Sequence, residues 1–147
     1  MTRIYVSILL DAEPEQVWQV VAPVERHVDW MADAAAIRFE GAQRQGVGTR
    51  FVCDTKVGPL RLTDRMEITE WEAARRMGVR HAGIVTGTGC FTLEPAVQGG
   101  TLFAWEEDLR FPWYLGGAIG EAVGGRGVLR RIWRRNLASL KRLVDGA

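Results

Sequence analysis

Between Ile37 and Phe111 the chain keeps a period of two, and that restricts what it can fold into. Six runs alternate apolar and polar residues: Ile37 to Gln43, Thr49 to Val57, Leu60 to Trp71, Arg76 to Ala82, Val85 to Glu94 and Thr101 to Phe111. Such alternation puts successive side chains on opposite faces of a pleated strand. The breaks between runs are turn chemistry: Gly46-Val47-Gly48, Gly58-Pro59, Ala82-Gly83 and Gln98-Gly99-Gly100. Links this short join antiparallel neighbours, because a parallel pair needs a crossover of about a dozen residues. One apolar face per strand means that one side of the sheet is covered.

The flanks supply the cover. Ile4 to Leu10 is rich in β-branched residues and reads as a first strand. Pro14 then suits the first position of a helix, with Glu13 and Glu15 where the helix dipole favours acids. Val17, Trp18 and Val21 form its inner face, and Pro23 stops it. A second short helix over Val24 to Met31 turns Val28 and Met31 inward, with Trp30 near its end. At the far end, Leu129, Ile132, Trp133, Leu137, Leu140, Leu143 and Val144 make an apolar stripe at helical spacing, predicting a helix from Val128 to Asp145. Six glycines between Gly116 and Gly127 predict a break before it, which could serve as a gate. The expected class is α+β: a seven-stranded curved antiparallel sheet, two short helices after strand one, and a long C-terminal helix over the concave face.

Composition sets the outer bounds. A chain of 147 residues fits a single domain over 1–147, and its 47% hydrophobic and 25% charged residues are ordinary for a water-soluble protein. The net charge of +1 rules out a polyelectrolyte argument for the whole molecule, yet Arg126 to Arg142 holds seven Lys/Arg and no acid. Cys53 and Cys90 have no partner spacing for zinc or redox work and read as free thiols. The N-terminal apolar run is one strand long and lacks a cleavage site, and no run nears the ~20 residues of a membrane span. A cytoplasmic protein is expected.

Polar residues that fall in phase with the apolar ones carry the functional signal. Asp64 is in phase with Leu60, Leu62, Met66 and Ile68, and Glu107 with Phe103, Trp105, Leu109 and Phe111. Asn136 sits within the helical stripe, and Thr55 and His81 also face inward. Inward polar groups are costly unless they satisfy one another or line a cavity. With Phe51, Cys53, Met66, Phe91 and Trp105 from the strands, and Ile132 and Trp133 from the helix, they make the mixture of a small-molecule pocket. Tyr114 falls near its mouth. Asp64, Glu107 and His81 are the candidates for acid–base chemistry, should burial separate their pKa values. The alternatives for the two carboxylates are a rim position, solvated or paired with arginine, and a ligand anchor. Asn136 either bridges to Glu107, donates to a ligand carbonyl, or fixes the helix register. No metal ligand set, nucleophilic triad, phosphate loop or nucleotide fingerprint is present, so no cofactor and no metal are expected.

These elements carry a family resemblance. The residues are Asp11-Ala12-Glu13-Pro14-Glu15-Gln16-Val17-Trp18 after strand one, Trp30 after the second helix, and Gly46-Val47-Gly48-Thr49-Arg50-Phe51 opening a strand. Ile68-Thr69-Glu70-Trp71-Glu72, Gly99-Gly100-Thr101 and Leu137-Ala138-Ser139-Leu140-Lys141-Arg142-Leu143 complete it. The chain resembles the START-like (SRPBCC) superfamily, with its Bet v 1-like helix-grip fold, and looks closest to the polyketide cyclase/dehydrase and lipid-transport branch. The resemblance implies a cavity between sheet and C-terminal helix that holds an apolar ligand. Related cyclases often place an arginine or tyrosine in that pocket, whereas Arg65 and Arg80 are out of phase here.

Three functions follow. The first is binding or transport of a small apolar or aromatic ligand, lipid or polyketide-like, oriented by Glu107, Asp64 and Asn136. The second is a polyketide aromatase/cyclase. The third is a ligand-free interaction module working through the basic helix face, Arg130, Arg131, Arg134, Arg135, Lys141 and Arg142. That face is either a solvated helix back or a peripheral contact with an anionic membrane. No nucleic-acid partner is expected, and the protein is taken as a monomer or weak homodimer.

Overall fold

A computed structural model describes residues 2–112 and 126–146. The elements run β1 (Thr2–Leu10), α1 (Pro14–Val21), a 3₁₀ turn (Val24–Asp29), β2 (Ala34–Glu40), β3 (Arg50–Val57), β4 (Leu60–Glu72), β5 (Arg76–Ala82), β6 (Thr86–Pro95), β7 (Thr101–Arg110) and α2 (Arg126–Asp145). All seven strands form one antiparallel sheet in the order β1-β7-β6-β5-β4-β3-β2. The expected curved sheet with a C-terminal helix is therefore the observed fold. Tyr114 and most of the proposed gate between Gly116 and Gly127 lie outside the described residues; Gly127 itself falls in the first turn of α2 rather than in a break. No described helix is long and apolar enough to cross a membrane.

The local sequence explains most of these elements. Pro14 opens α1, and the Gln16 side chain accepts a hydrogen bond from the Glu13 backbone N–H at 3.2 Å, satisfying one free donor of the helix start. Val17 and Val21 are fully buried, while Trp18 is half-buried and meets Trp71 edge-on at 5.0 Å. The second short helix differs from expectation. It is a 3₁₀ turn, whose three-residue period stacks Val24 and His27 on the inner side and leaves Val28 exposed. Strand β2 also starts earlier than its pattern predicts, at Ala34 rather than Ile37. Alanines 34–36 have little strand preference of their own, and pairing with β3 recruits them.

Strands β1 and β2 are adjacent in sequence but lie at opposite edges of the sheet, so residues 11–33 cross its whole width and close one end of the concave face. Helix α2 covers the rest, burying Leu129, Trp133, Leu137, Leu140 and Val144. Leu143, expected in that stripe, is 42% exposed, because its helical angle carries it off the buried face. The C-terminal end of α2 is tied down: Asp145 Oδ1 accepts hydrogen bonds from the backbone N–H groups of Asp11 and Ala12, both at 3.1 Å, and Lys141 donates to Asp145 Oδ2 at 2.6 Å. An aromatic cluster of Trp30, Phe91, Phe103 and Trp105 fills the middle of the sheet. Trp133 of α2 stacks on Trp105 with centroids 4.4 Å apart and planes 11° from parallel, a contact worth roughly 0.5–1.5 kcal/mol beyond its burial.

Candidate functional site

A cavity of about 150 Å³ lies between the sheet, the 3₁₀ turn and α2. Its walls are mainly apolar: Phe51, Leu62, Met66, Phe91, Trp105 and Trp133 all reach it. The strand phases behind this are intact. A bulge does interrupt the β4–β5 ladder between Ile68 and Glu70, but it falls beyond Asp64 and leaves that residue facing inward.

The polar residues of the cavity are joined to one another. His81 on β5 stands between two carboxylates. Its Nδ1–H donates to Asp64 Oδ2 at 2.6 Å, and its Nε2–H donates to Glu107 Oε1 at 2.7 Å. His81 and Glu107 are both 7% exposed. The reach to Glu107 crosses strand β6, which lies between β5 and β7. Gly87 and Gly89 clear the path, since they share the phase of inward-facing Phe91 but carry no side chain. A Cβ at Gly89 would fall 2.5 Å from Glu107 Oε1.

The electrostatics follow from this clamp. Burial alone would push the His81 imidazole down, but the charge of Glu107 and the hydrogen bonds to both carboxylates overcome it and raise the pKa to about 10. His81 is thus an imidazolium at neutral pH. Burial pushes the Glu107 carboxyl up, against the pull of His81. Two carboxyl groups share one imidazole, so acidic groups outnumber basic ones in the cluster. Burial also lifts Asp33, opposed by its hydrogen bond from Asn136, and raises the Cys53 thiol to about 11. His27 behaves in the opposite way. Its Nε2–H donates to the Val21 carbonyl at 2.7 Å, and burial lowers its pKa to about 4, so it is neutral.

Most of the residues singled out in the sequence come together here. Phe51, Cys53, Thr55, Asp64, Met66, His81, Phe91, Trp105, Glu107 and Trp133 line the cavity. The Thr55 hydroxyl lies 3.8 Å from Cys53 Sγ, within reach of a weak hydrogen bond. Two of the expected lining residues lie outside the cavity, and for Asn136 the register-fixing alternative is the one the geometry matches. Ile132 is half-buried but does not reach the cavity, since its helical angle points it past the wall that Leu129 and Trp133 form. Asn136 neither bridges to Glu107 nor faces the cavity. Its Oδ1 accepts from the Ala32 backbone N–H at 3.0 Å and its Nδ2 donates to Asp33 Oδ1 at 2.7 Å, so it ties α2 to the segment before β2. Asp33 and His27, both lining residues, escape the sequence reading. The three-residue period of the turn could have revealed His27; no local pattern marks Asp33. Among the described residues, no group of His, Cys, Asp and Glu is arranged to hold a metal ion.

Comparison with known proteins agrees with this architecture. The model of the family described as polyketide cyclase / dehydrase and lipid transport matches residues 1–145. No curated protein matches the chain. Among solved structures, a START superfamily protein from Mycobacterium smegmatis superposes with a TM-score of 0.79 at 9% identity, covering 99% of each chain. A protein from Thermus thermophilus gives 0.79 at 16% identity, covering 97% of this chain and 96% of its own. The Zhui aromatase/cyclase from Streptomyces sp. R1128 gives 0.70 at 18% identity, covering 98% of this chain and 91% of its own. At such identities these likenesses speak for the fold alone.

Proposed function

The chain belongs to the polyketide cyclase/dehydrase and lipid-transport family, and from that premise we propose that it binds a small apolar or aromatic molecule between the sheet and α2, as a carrier or receptor. The observation that carries this reading is the cavity of about 150 Å³, apolar over most of its wall, with its acid–imidazole–acid cluster gathered on one side. A cavity of roughly that size takes up a single aromatic ring, which sets the scale of the guest. Burial of the guest would supply about 25 cal/mol per Å² before ordering costs, and the polar cluster would set its orientation.

The cyclase reading stands second. In its favour, Glu107 is a carboxyl with a raised pKa placed beside an imidazolium, a pair suited to moving protons. Against it, both nitrogens of His81 are already donating, so the imidazole has no lone pair to act as a base. A cavity that takes about one ring is also small for a poly-β-ketone chain.

Native mass spectrometry of protein purified from its own host separates the readings. A co-purifying apolar compound, displaced by an apolar fluorescent probe, is the expected result. Protein that carries nothing and binds no probe would overturn the proposal.

A further inference from the structure

The cavity has a charge as well as a shape. Asp33, Asp64 and Glu107 all line it, while no lysine or arginine does so among the described residues. The positive charge of His81 is committed to Asp64 and Glu107 through its two ring nitrogens. One buried acceptor remains open: Asp64 Oδ1 has no hydrogen-bond partner among the described residues. Glu107 is engaged by His81 through Oε1, and its Oε2 accepts no hydrogen bond from a described residue, though that oxygen is not buried in the same way. A buried carboxylate oxygen without a donor carries the full cost of its lost hydration. Beyond the committed His81 the wall therefore presents no positive charge among the described residues, and its hydroxyl donors, Thr55 and Thr63, are turned to Cys53 and Asp54.

We propose that the guest is an apolar or aromatic molecule bearing a protonated amine, seated with its ammonium group on Asp64 and Glu107 and its apolar body against Met66, Trp105 and Trp133. This rests on the reading of the cavity as a ligand site and adds the charge of the ligand. An ammonium supplies several N–H donors and the missing positive charge together. A hydroxyl supplies one donor and no charge. A carboxylate or phosphate supplies neither, and adds like charge where the dielectric is low. The raised Asp33 and Glu107 carboxyls point the same way, since a cation beside them offsets the cost of burying them ionised.

Three probes that share one ring and a two-carbon arm test the proposal at neutral pH: phenethylamine, phenethyl alcohol and phenylacetate, titrated calorimetrically into the intact protein. The amine is expected to bind about tenfold tighter than the alcohol, and phenylacetate most weakly. Asp64→Asn and Glu107→Gln should each erase most of the amine's advantage over the alcohol, with circular dichroism checking that the variants remain folded. If phenylacetate or the alcohol binds as tightly as the amine, the charge assignment is wrong and the cavity reading stands. If none of the three binds, the cavity reading falls too. The wild-type series alone decides between these outcomes, whatever the variants do.

Discussion

Gly89 sits directly opposite Glu107 across the β6–β7 ladder, and its missing side chain is what lets the carboxylate reach His81. A methyl group there would stand 2.5 Å from Glu107 Oε1. The carboxylate is the free end of a flexible side chain, so it can swing away without moving the backbone. Gly89→Ala is therefore expected to fold, to lose about 1.5–3 kcal/mol from one charge-assisted hydrogen bond, and to move the His81 titration toward lower pH. Proton NMR of the imidazole reads the shift. An unchanged His81 titration would show that Glu107 does not hold the ring.

The two histidines predict stability changes of opposite sign. His81 has a folded pKa of about 10, raised from 6.5. Its contribution is complete below about pH 6.5 and is lost as pH climbs toward 10. The raised carboxyls of Glu107 and Asp33 act in the same direction. His27 has a folded pKa of about 4, lowered from 6.5, so its contribution is present above 6.5 and is lost as pH falls toward 4. Urea midpoints measured across this range should fall on both sides of a maximum. His81→Gln should flatten the alkaline limb. A His81 resonance that titrates near 6.5 would contradict the clamp.

Asn136 is 1% exposed and makes its hydrogen bonds to the Ala32 backbone and the Asp33 carboxylate, outside the guest's reach. Asn136→Ala leaves the Ala32 N–H without its partner and takes one hydrogen bond from the Asp33 carboxylate, which should cost about 1–3 kcal/mol. Chemical denaturation should register the loss, while probe affinity changes little in the remaining folded protein. A variant as stable as the parent but unable to bind would return Asn136 to the ligand site.

The thiols should react in a fixed order. Cys90 is half-exposed, whereas Cys53 is 6% exposed and its pKa is pushed up to about 11, which cuts its thiolate about a hundredfold below that of an ordinary thiol. Iodoacetamide at mildly alkaline pH should label Cys90 first and Cys53 only slowly. A bound guest should slow Cys53 further, since that residue lines the cavity. Peptide mass mapping over time tests both points, and prompt labelling of Cys53 would refute the burial argument.

The alternation that reveals the strands also reveals which polar residues face inward. Asp64, His81 and Glu107 can be placed on the concave face from period alone, because one strand phase decides each of them. Their union cannot. It depends on register between strands far apart in sequence, and on Gly87 and Gly89 clearing the space between β5 and β7. Two glycines in phase with Phe91 are the available clue. The helical stripe puts Asn136 on the buried face but leaves its partner open, since nothing in such a stripe says which segment lies beneath it. Val28 falls outward, against expectation, because the chain makes a 3₁₀ turn where an α-helical period is the default assumption, whereas Met31, just past the turn, faces the cavity as expected.

Asp145 has a consequence for traffic into the protein. By gripping the backbone of Asp11 and Ala12, it fastens the tail of α2 to the junction between β1 and α1. A lid fastened at that end has more freedom at the other, where Leu129 lines the cavity together with Leu109 and Phe111. Bulk added at Leu129 should therefore slow exchange without altering the grip on a molecule already inside.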